Sequence, residues 1–243
     1  MNLNVRIKCQ NCAVRLSGLC SDISEKAAAE LGRAVHRRRI PAGQIIYGGN
    51  NKANTFAIII SGVVKLVHAQ PDGRNQIVGL QFPSDFVGRP YSEESNLLAE
   101  AATDLELCSF SGRVFQTLTE AYPDLERAVL RRTLNDLDAA REWMFMLGRK
   151  TAEERVATLL LLFARRMSAD HDDGHDNETG HVAFNIPLSR TDFSACLGLR
   201  LETVSRQIST LKAKGIVAAG KTRAFEVLDM RALKELSEMA TAE

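Results

Sequence analysis

The spacing of apolar residues changes character along the chain. Ile23, Ala27, Leu31 and Val35 recur at helical intervals, which predicts a helix over residues 24–35. From Arg39 to about Phe110, short apolar runs alternate with Gly, Pro, Asn and Asp turns, as in "GQIIYGG", "TFAIIISGVVKLV" and "PDGRNQIVGLQF". That rhythm predicts an all-β barrel or roll, with Ser61-Gly62 and Asp72-Gly73 as hairpin turns. Helical periodicity returns after Pro123. Leu130, Leu134, Leu137 and Met144 follow a 3-4 alternation, with Arg141 at one intervening seam position. This predicts one long helix packed either on a partner or on its own domain, and periodicity leaves both open. Gly148 offers a break before a further amphipathic helix over residues 152–166.

The polar stretch "SADHDDGHDNETGH", residues 168–181, reads as an exposed loop. His171, His175 and His181 lie there among carboxylates, but no apolar neighbours would hold them as metal ligands. Beyond it, Ser189 followed by Asp192 has the form of a capping box, which starts a helix. Gly198 suits the left-handed turn that ends it, and a second helix follows over Leu201–Ala213, stopped at Gly215. Two helices joined by a short Gly-containing turn make a helix-turn-helix candidate. Val204, Ile208 and Leu211 are its inward positions, and Glu202, Ser205, Arg206 and Ser209 its outward ones. "GIVAAGKTRAFEVLD" then reads as a wing around residues 220–223.

Charge sharpens this segment. The whole chain has a formal net charge of +1. Between Arg200 and Arg223, however, Arg200, Arg206, Lys212, Lys214, Lys221 and Arg223 stand against a single acid, Glu202. Such a local excess steers a segment to phosphates. Arg donates to guanine O6 and N7, and Glu accepts from cytosine N4, so Glu202 and Arg206 can read the two halves of one G·C pair. The bland alternative is a solvated i,i+4 pair on an ordinary helix.

The chain has 243 residues, enough for two domains, with 45% hydrophobic and 25% charged residues. No apolar run approaches the roughly 18 residues of a membrane span, and no secretory h-region opens the sequence. The expected compartment is the cytoplasm, where thiols stay reduced. Five cysteines are an odd number for a disulfide framework. Cys9, Cys12 and Cys20 crowd into "IKCQNCAVRLSGLC", with little else in residues 1–20 that could pack. This clustering points to metal binding or redox chemistry.

At "LGLRLETVSRQISTLKAKGIV" the sequence resembles the CRP/FNR superfamily of bacterial transcription regulators, and "ETVSR" is similar to the form of its FNR branch. "PAGQIIYGGN", "FAIIISGVVKL" and "PSDFVG" resemble that family's β-roll, and "GRKTAEERVATLLL" the start of its DNA-binding domain. The resemblance implies an α+β fold: a cyclic-nucleotide-binding-like jelly roll, a long dimerisation helix and a winged helix-turn-helix. It divides the chain into a cluster-binding segment 1–22, a sensory β-roll 23–123, a dimerisation helix 124–148 and a DNA-binding domain 149–243. Leu130, Leu134, Leu137 and Met144 become a homodimer interface. Arg200, Glu202, Ser205, Arg206, Ser209 and Lys221 become the contacts to double-stranded DNA.

The same resemblance implies an oxygen-labile [4Fe-4S] cluster on Cys9, Cys12, Cys20 and Cys108, the last within "LELCSF". Four thiolates suit such a cluster and suit zinc equally. It also implies oxygen-responsive control, TTGAT-like palindromic half-sites, activation of transcription and contact with RNA polymerase. Where the family's dimer helix carries an acid, this chain has Ala140, flanked by Asp138 and Glu142. Cys196, between Ala195 and Leu197, reads as a small core residue. Rival readings keep the fold and change the signal. Cyclic nucleotide is disfavoured because Gly88-Arg89 replaces Gly-Glu and no Arg-Ser pair follows. Haem sensing of nitric oxide or carbon monoxide would not need four cysteines, and structural zinc would give a differently controlled regulator. An iron–sulfur oxidoreductase is the rival from another class. The sequence contains neither GxGxxG nor GxxxxGK[ST], and four thiol ligands leave no open iron position.

Overall fold

Ser24 begins the first helix. Its side-chain oxygen accepts the Ala27 N–H, and its own N–H donates to Asp124 at 2.6 Å. In the computed structural model, which describes residues 12–48, 55–89, 95–167, 181–220 and 224–238, this helix is α1, Glu25–Ala34, burying Ala27, Ala28 and Leu31. The chain divides into two units, Met1–Ala140 and Arg141–Glu243.

In the first unit the turn-rich sequence folds, among the described residues, into eight strands: β1 His36–Ile40, β2 Ile45–Tyr47, β3 Thr55–Ser61, β4 Val64–Ala69, β5 Asn75–Gln81, β6 Phe86–Val87, β7 Leu98–Ala101 and β8 Leu105–Ser111. They form two four-stranded antiparallel sheets, ordered β1-β8-β3-β6 and β2-β7-β4-β5. Both sheets supply one core: Ile40, Ala57, Ile59 and Leu107 from the first, Ile46, Val64, Ala99 and Ala101 from the second. The other face of the first sheet carries a second core. There Phe56, Phe86, Phe110 and Phe115 pack with ring centroids 4.8–6.4 Å apart.

One expected hairpin is absent and the other forms. Ser61-Gly62 does not join paired strands: β3 bonds to β8 and β6, while β4 bonds to β5 and β7, so this turn carries the chain between sheets. Gly is needed there because a Cβ would lie 2.4 Å from the Asp104 carbonyl oxygen, at φ +92°. Asp72-Gly73 does close a hairpin, between β4 and β5, with the Gln70 N–H donating to Arg74 at 2.9 Å.

Ser111 caps α2, Gly112–Ala121, and Pro123 opens α3, which runs to Arg149. Proline at the first helical position loses no needed N–H, and Asp124 and Glu126 favour the first turn through the helix dipole. The break expected at Gly148 falls instead at Lys150–Thr151. One helical Gly costs only about 1 kcal/mol, whereas Thr151 starts a new helix outright. Its N–H donates to Glu154 at 2.8 Å, and its hydroxyl accepts the Glu154 N–H at 3.4 Å.

In the second unit α4, Ala152–Met167, is buried along Val156, Leu159, Leu160 and Phe163. Around it stand α5 Arg190–Leu197, α6 Leu201–Ala213, α7 Met230–Glu238 and a sheet ordered β10-β11-β9. β9, Val182–Asn185, was not foreseen from sequence. It pairs with β11, Ala224–Val227, and stacks Phe184 on Phe225 at 6.3 Å. Of the polar stretch 168–181, only His181 lies within the described residues, 3.0 Å from Glu226. Among the described residues no helix is long and apolar enough to cross a membrane.

Candidate DNA-reading surface and thiol site

The capping box is formed. Ser189 Oγ accepts the Asp192 N–H at 2.9 Å, and Asp192 accepts the Ser189 N–H at 3.4 Å. α5 buries Phe193, Ser194, Cys196 and Leu197 and stops at Gly198, whose φ of +60° is the left-handed conformation a non-Gly residue resists. Arg200 then opens α6. Val204 and Leu211 are buried as expected. Ile208 is only half-buried, because it borders a groove shared with Leu188, Phe193 and Phe225. Arg200, Glu202, Arg206 and Ser209 are exposed and Ser205 is half-buried. Among the described residues neither Glu202 nor Arg206 makes an ion pair, so both heads are available to a ligand.

The basic field is one charge weaker than the sequence suggests. Lys214 is bound to Glu153 of α4 at 2.6 Å. β10, Val217–Ala219, and β11 form the wing, closed by the Gly220 N–H on the Ala224 carbonyl at 2.8 Å. Lys221 and Arg223 lie outside the described residues.

Arg155 holds the helix-turn-helix in place, a structural role that pattern reading missed. Its guanidinium donates to the carbonyls of Leu147 at 2.7 Å, Lys150 at 2.9 Å and Leu197 at 3.1 Å. It thus satisfies the orphan C-terminal carbonyls of α3 and α5 together, setting the helix-turn-helix against the end of the long helix. An arginine among the apolar residues of α4 was the available signal.

In the first unit the cysteines converge. Cys12 and Cys20 are half-buried, and Cys108, on β8 opposite Ile58 of β3, is buried. All three line one cavity with Arg15, Leu31 and Ile58. Cys9 lies outside the described residues. Among those residues no group of three or more His, Cys, Asp and Glu is close enough to hold a metal ion. The segment packs more than its composition suggested: Val14 and Leu19 are both buried in the core that contains Cys108. Its turns are bonded internally. The Arg15 N–H donates to Cys12 at 3.0 Å, the Arg15 guanidinium donates to the Cys20 carbonyl, and Gly18–Cys20 forms a 3-10 turn. Gly18, at φ +62°, presses on the roll so closely that a Cβ would lie 2.2 Å from the Ser84 carbonyl oxygen. Cys196 is fully buried in α5 and belongs to the other unit.

On α3, Leu130, Leu134, Leu137, Met144 and Phe145 are exposed, from 45% to 67%. A run of large apolar side chains on one helix marks an interaction face.

Residues 154–236 match the Crp-like helix-turn-helix domain and residues 37–122 the cyclic nucleotide-binding domain. The chain is 41% identical over 230 residues to a "Probable transcriptional activator" of Rhizobium leguminosarum bv. viciae, covering 95% of this chain and 93% of that protein. It is 38% identical to "Transcriptional activator protein FnrL" of Cereibacter sphaeroides, covering 94% and 91%. Among solved structures, FixK2 from Bradyrhizobium japonicum superposes with a TM-score of 0.74 at 29% identity, covering 85% of this chain and 99% of that one. With a two-sheet roll, a winged helix-turn-helix and close relatives along nearly its whole length, the chain belongs to the CRP/FNR family of transcription regulators, as a DNA-binding protein and not an enzyme.

Proposed function

We propose that this regulator is an oxygen-responsive transcriptional activator in the cytoplasm. It binds palindromic FNR-type sites as a homodimer while Cys9, Cys12, Cys20 and Cys108 hold a [4Fe-4S] cluster. The observation that carries the reading is the shared cavity. Thiols from the N-terminal segment and from β8, far apart in sequence, line one space. A bound cluster would supply an oxygen-labile crosslink between the two, and thiolate sulfurs suit it chemically.

The chain's own residues supply the rest. Val14, Leu19 and Gly18 seat the segment against the roll. The exposed stripe on α3 is the surface a second copy would cover, and two copies present two recognition helices to successive major grooves. Glu202 and Arg206 read the single G·C pair of a TTGAT-like half-site, while Arg200 and Lys221 serve phosphates. Activation then proceeds through contact with RNA polymerase.

The test is the visible spectrum and the iron and sulfide content of protein purified without oxygen. DNA binding of the four single Cys→Ser variants is measured beside it. Iron with equimolar sulfide, and loss of anaerobic binding in each variant, are expected, because a hydroxyl is a poor iron ligand. Zinc without iron, or full binding in all four variants, defeats the reading.

A further inference from the structure

The inner stripe of α3 changes chemistry one turn above the roll. Leu125, Ala128 and Val129 are buried in the core that also holds Cys108. The next inward position is Arg132. Its side chain is 28% exposed, and its Nε is buried without a hydrogen-bond partner among the described residues. Its Nη2 donates to Asp22 Oδ2 at 2.9 Å, and Arg131 stands 3.7 Å from the other oxygen of the same carboxylate. Asp22 is itself only 18% exposed. It lies two residues after Cys20, and its N–H donates to the Leu19 carbonyl at 3.2 Å, closing the 3-10 turn.

On a helix of 3.6 residues per turn, Arg132 is about 160° from both Leu130 and Leu134. It therefore lies on the back of the helix, opposite the exposed stripe. Asp22 grips that back face. A guanidinium in this position is tolerable only while its charge is answered, and an unanswered one must turn toward water.

We propose that Asp22 is the positioning residue that couples the cysteine segment to self-association. While the segment is seated, Asp22 holds Arg132, and the Leu130–Leu134 face points outward for a second copy. When the segment leaves, Arg132 loses its counter-charge, the helix turn shifts toward water, and the face is lost. This rests on the sensing reading above, and adds to it the ion pair through which the segment acts.

The dimer dissociation constant is measured by analytical ultracentrifugation, with and without iron, with iron content determined in parallel. Asp22→Asn with its iron intact weakens the dimer roughly tenfold, between the effect of an exposed pair and that of a buried one. Arg132→Gln gives the same weakening at the other end of the pair, and is decisive where Asp22→Asn loses iron. The double variant Asp22→Asn/Arg132→Leu continues the inner apolar stripe of Leu125, Ala128 and Val129 and needs no counter-charge. It dimerises equally with and without iron, a result that a merely structural pair would not give. If the wild type dimerises equally in both states, the sensing reading falls, and the coupling with it. If the wild type responds but Asp22→Asn matches it, or the double variant still responds, the coupling alone is overturned.

Discussion

Asp124 serves two helix starts at once. Its carboxylate accepts the Ser24 N–H, the cap of α1, at 2.6 Å while it sits in the first turn of α3. The Ser24 hydrogen bonds, aided by the N–H groups of Asp124 and Leu125, lower its pKa below the ordinary 3.8. A depressed carboxylate stabilises the fold above its unfolded pKa and loses that contribution as pH falls through the folded one. Wild type should therefore lose stability more steeply than Asp124→Asn as pH drops from near 4 downward, as read by urea midpoints. Parallel curves would show that the bond is not formed in solution. What was legible at this scale was local. The Ser189–Asp192 box and Gly198 announce themselves within ten positions of sequence because their partners are neighbours. Asp22 and Arg132, 110 positions apart, carry no such signature, and nothing in either residue type names the other.

Among the described elements, α6 carries the exposed Glu202 and Arg206 proposed to read one G·C pair. Arg206→Ala should cost about 1–3 kcal/mol on a site with the matched guanine and relax preference at that base pair. Fluorescence anisotropy on matched and substituted duplexes measures this. Equal losses on cognate and random DNA would reduce Arg206 to a phosphate contact. The strands and helices themselves were largely readable, because periods of 2 and 3.6 reflect which face meets a core. The failures lie where tertiary contact overrides local grammar. Ser61-Gly62 looks like a hairpin, yet the pairing partners of β3 and β4 lie elsewhere. Gly148 looks like a stop, yet Thr151 makes a stronger start. β9 is four residues long and pairs with a strand about forty positions on, where Phe184 stacks on Phe225.

For the whole molecule, the open question in the sequence was what the α3 stripe packs against. Its exposure, 52% at Leu134, answers that nothing in its own unit covers it among the described residues. Leu134→Glu should leave the unfolding free energy within about 0.5 kcal/mol of wild type at concentrations where both are monomeric, as for an exposed position. It should shift sedimentation to the monomer, since two desolvated charges would meet at the seam. An unchanged dimer would assign the stripe to another partner. The thiol site carries a different consequence, one of timing. Cys20 and Cys108 lie on the order of ninety residues apart, and synthesis at about 5–20 residues per second separates them by roughly 5–20 s. The first cysteines leave the ribosome while the strand they close upon is still unmade. Each new chain therefore presents those thiols to its surroundings before the cavity exists, and the molecule's chemical history begins during translation.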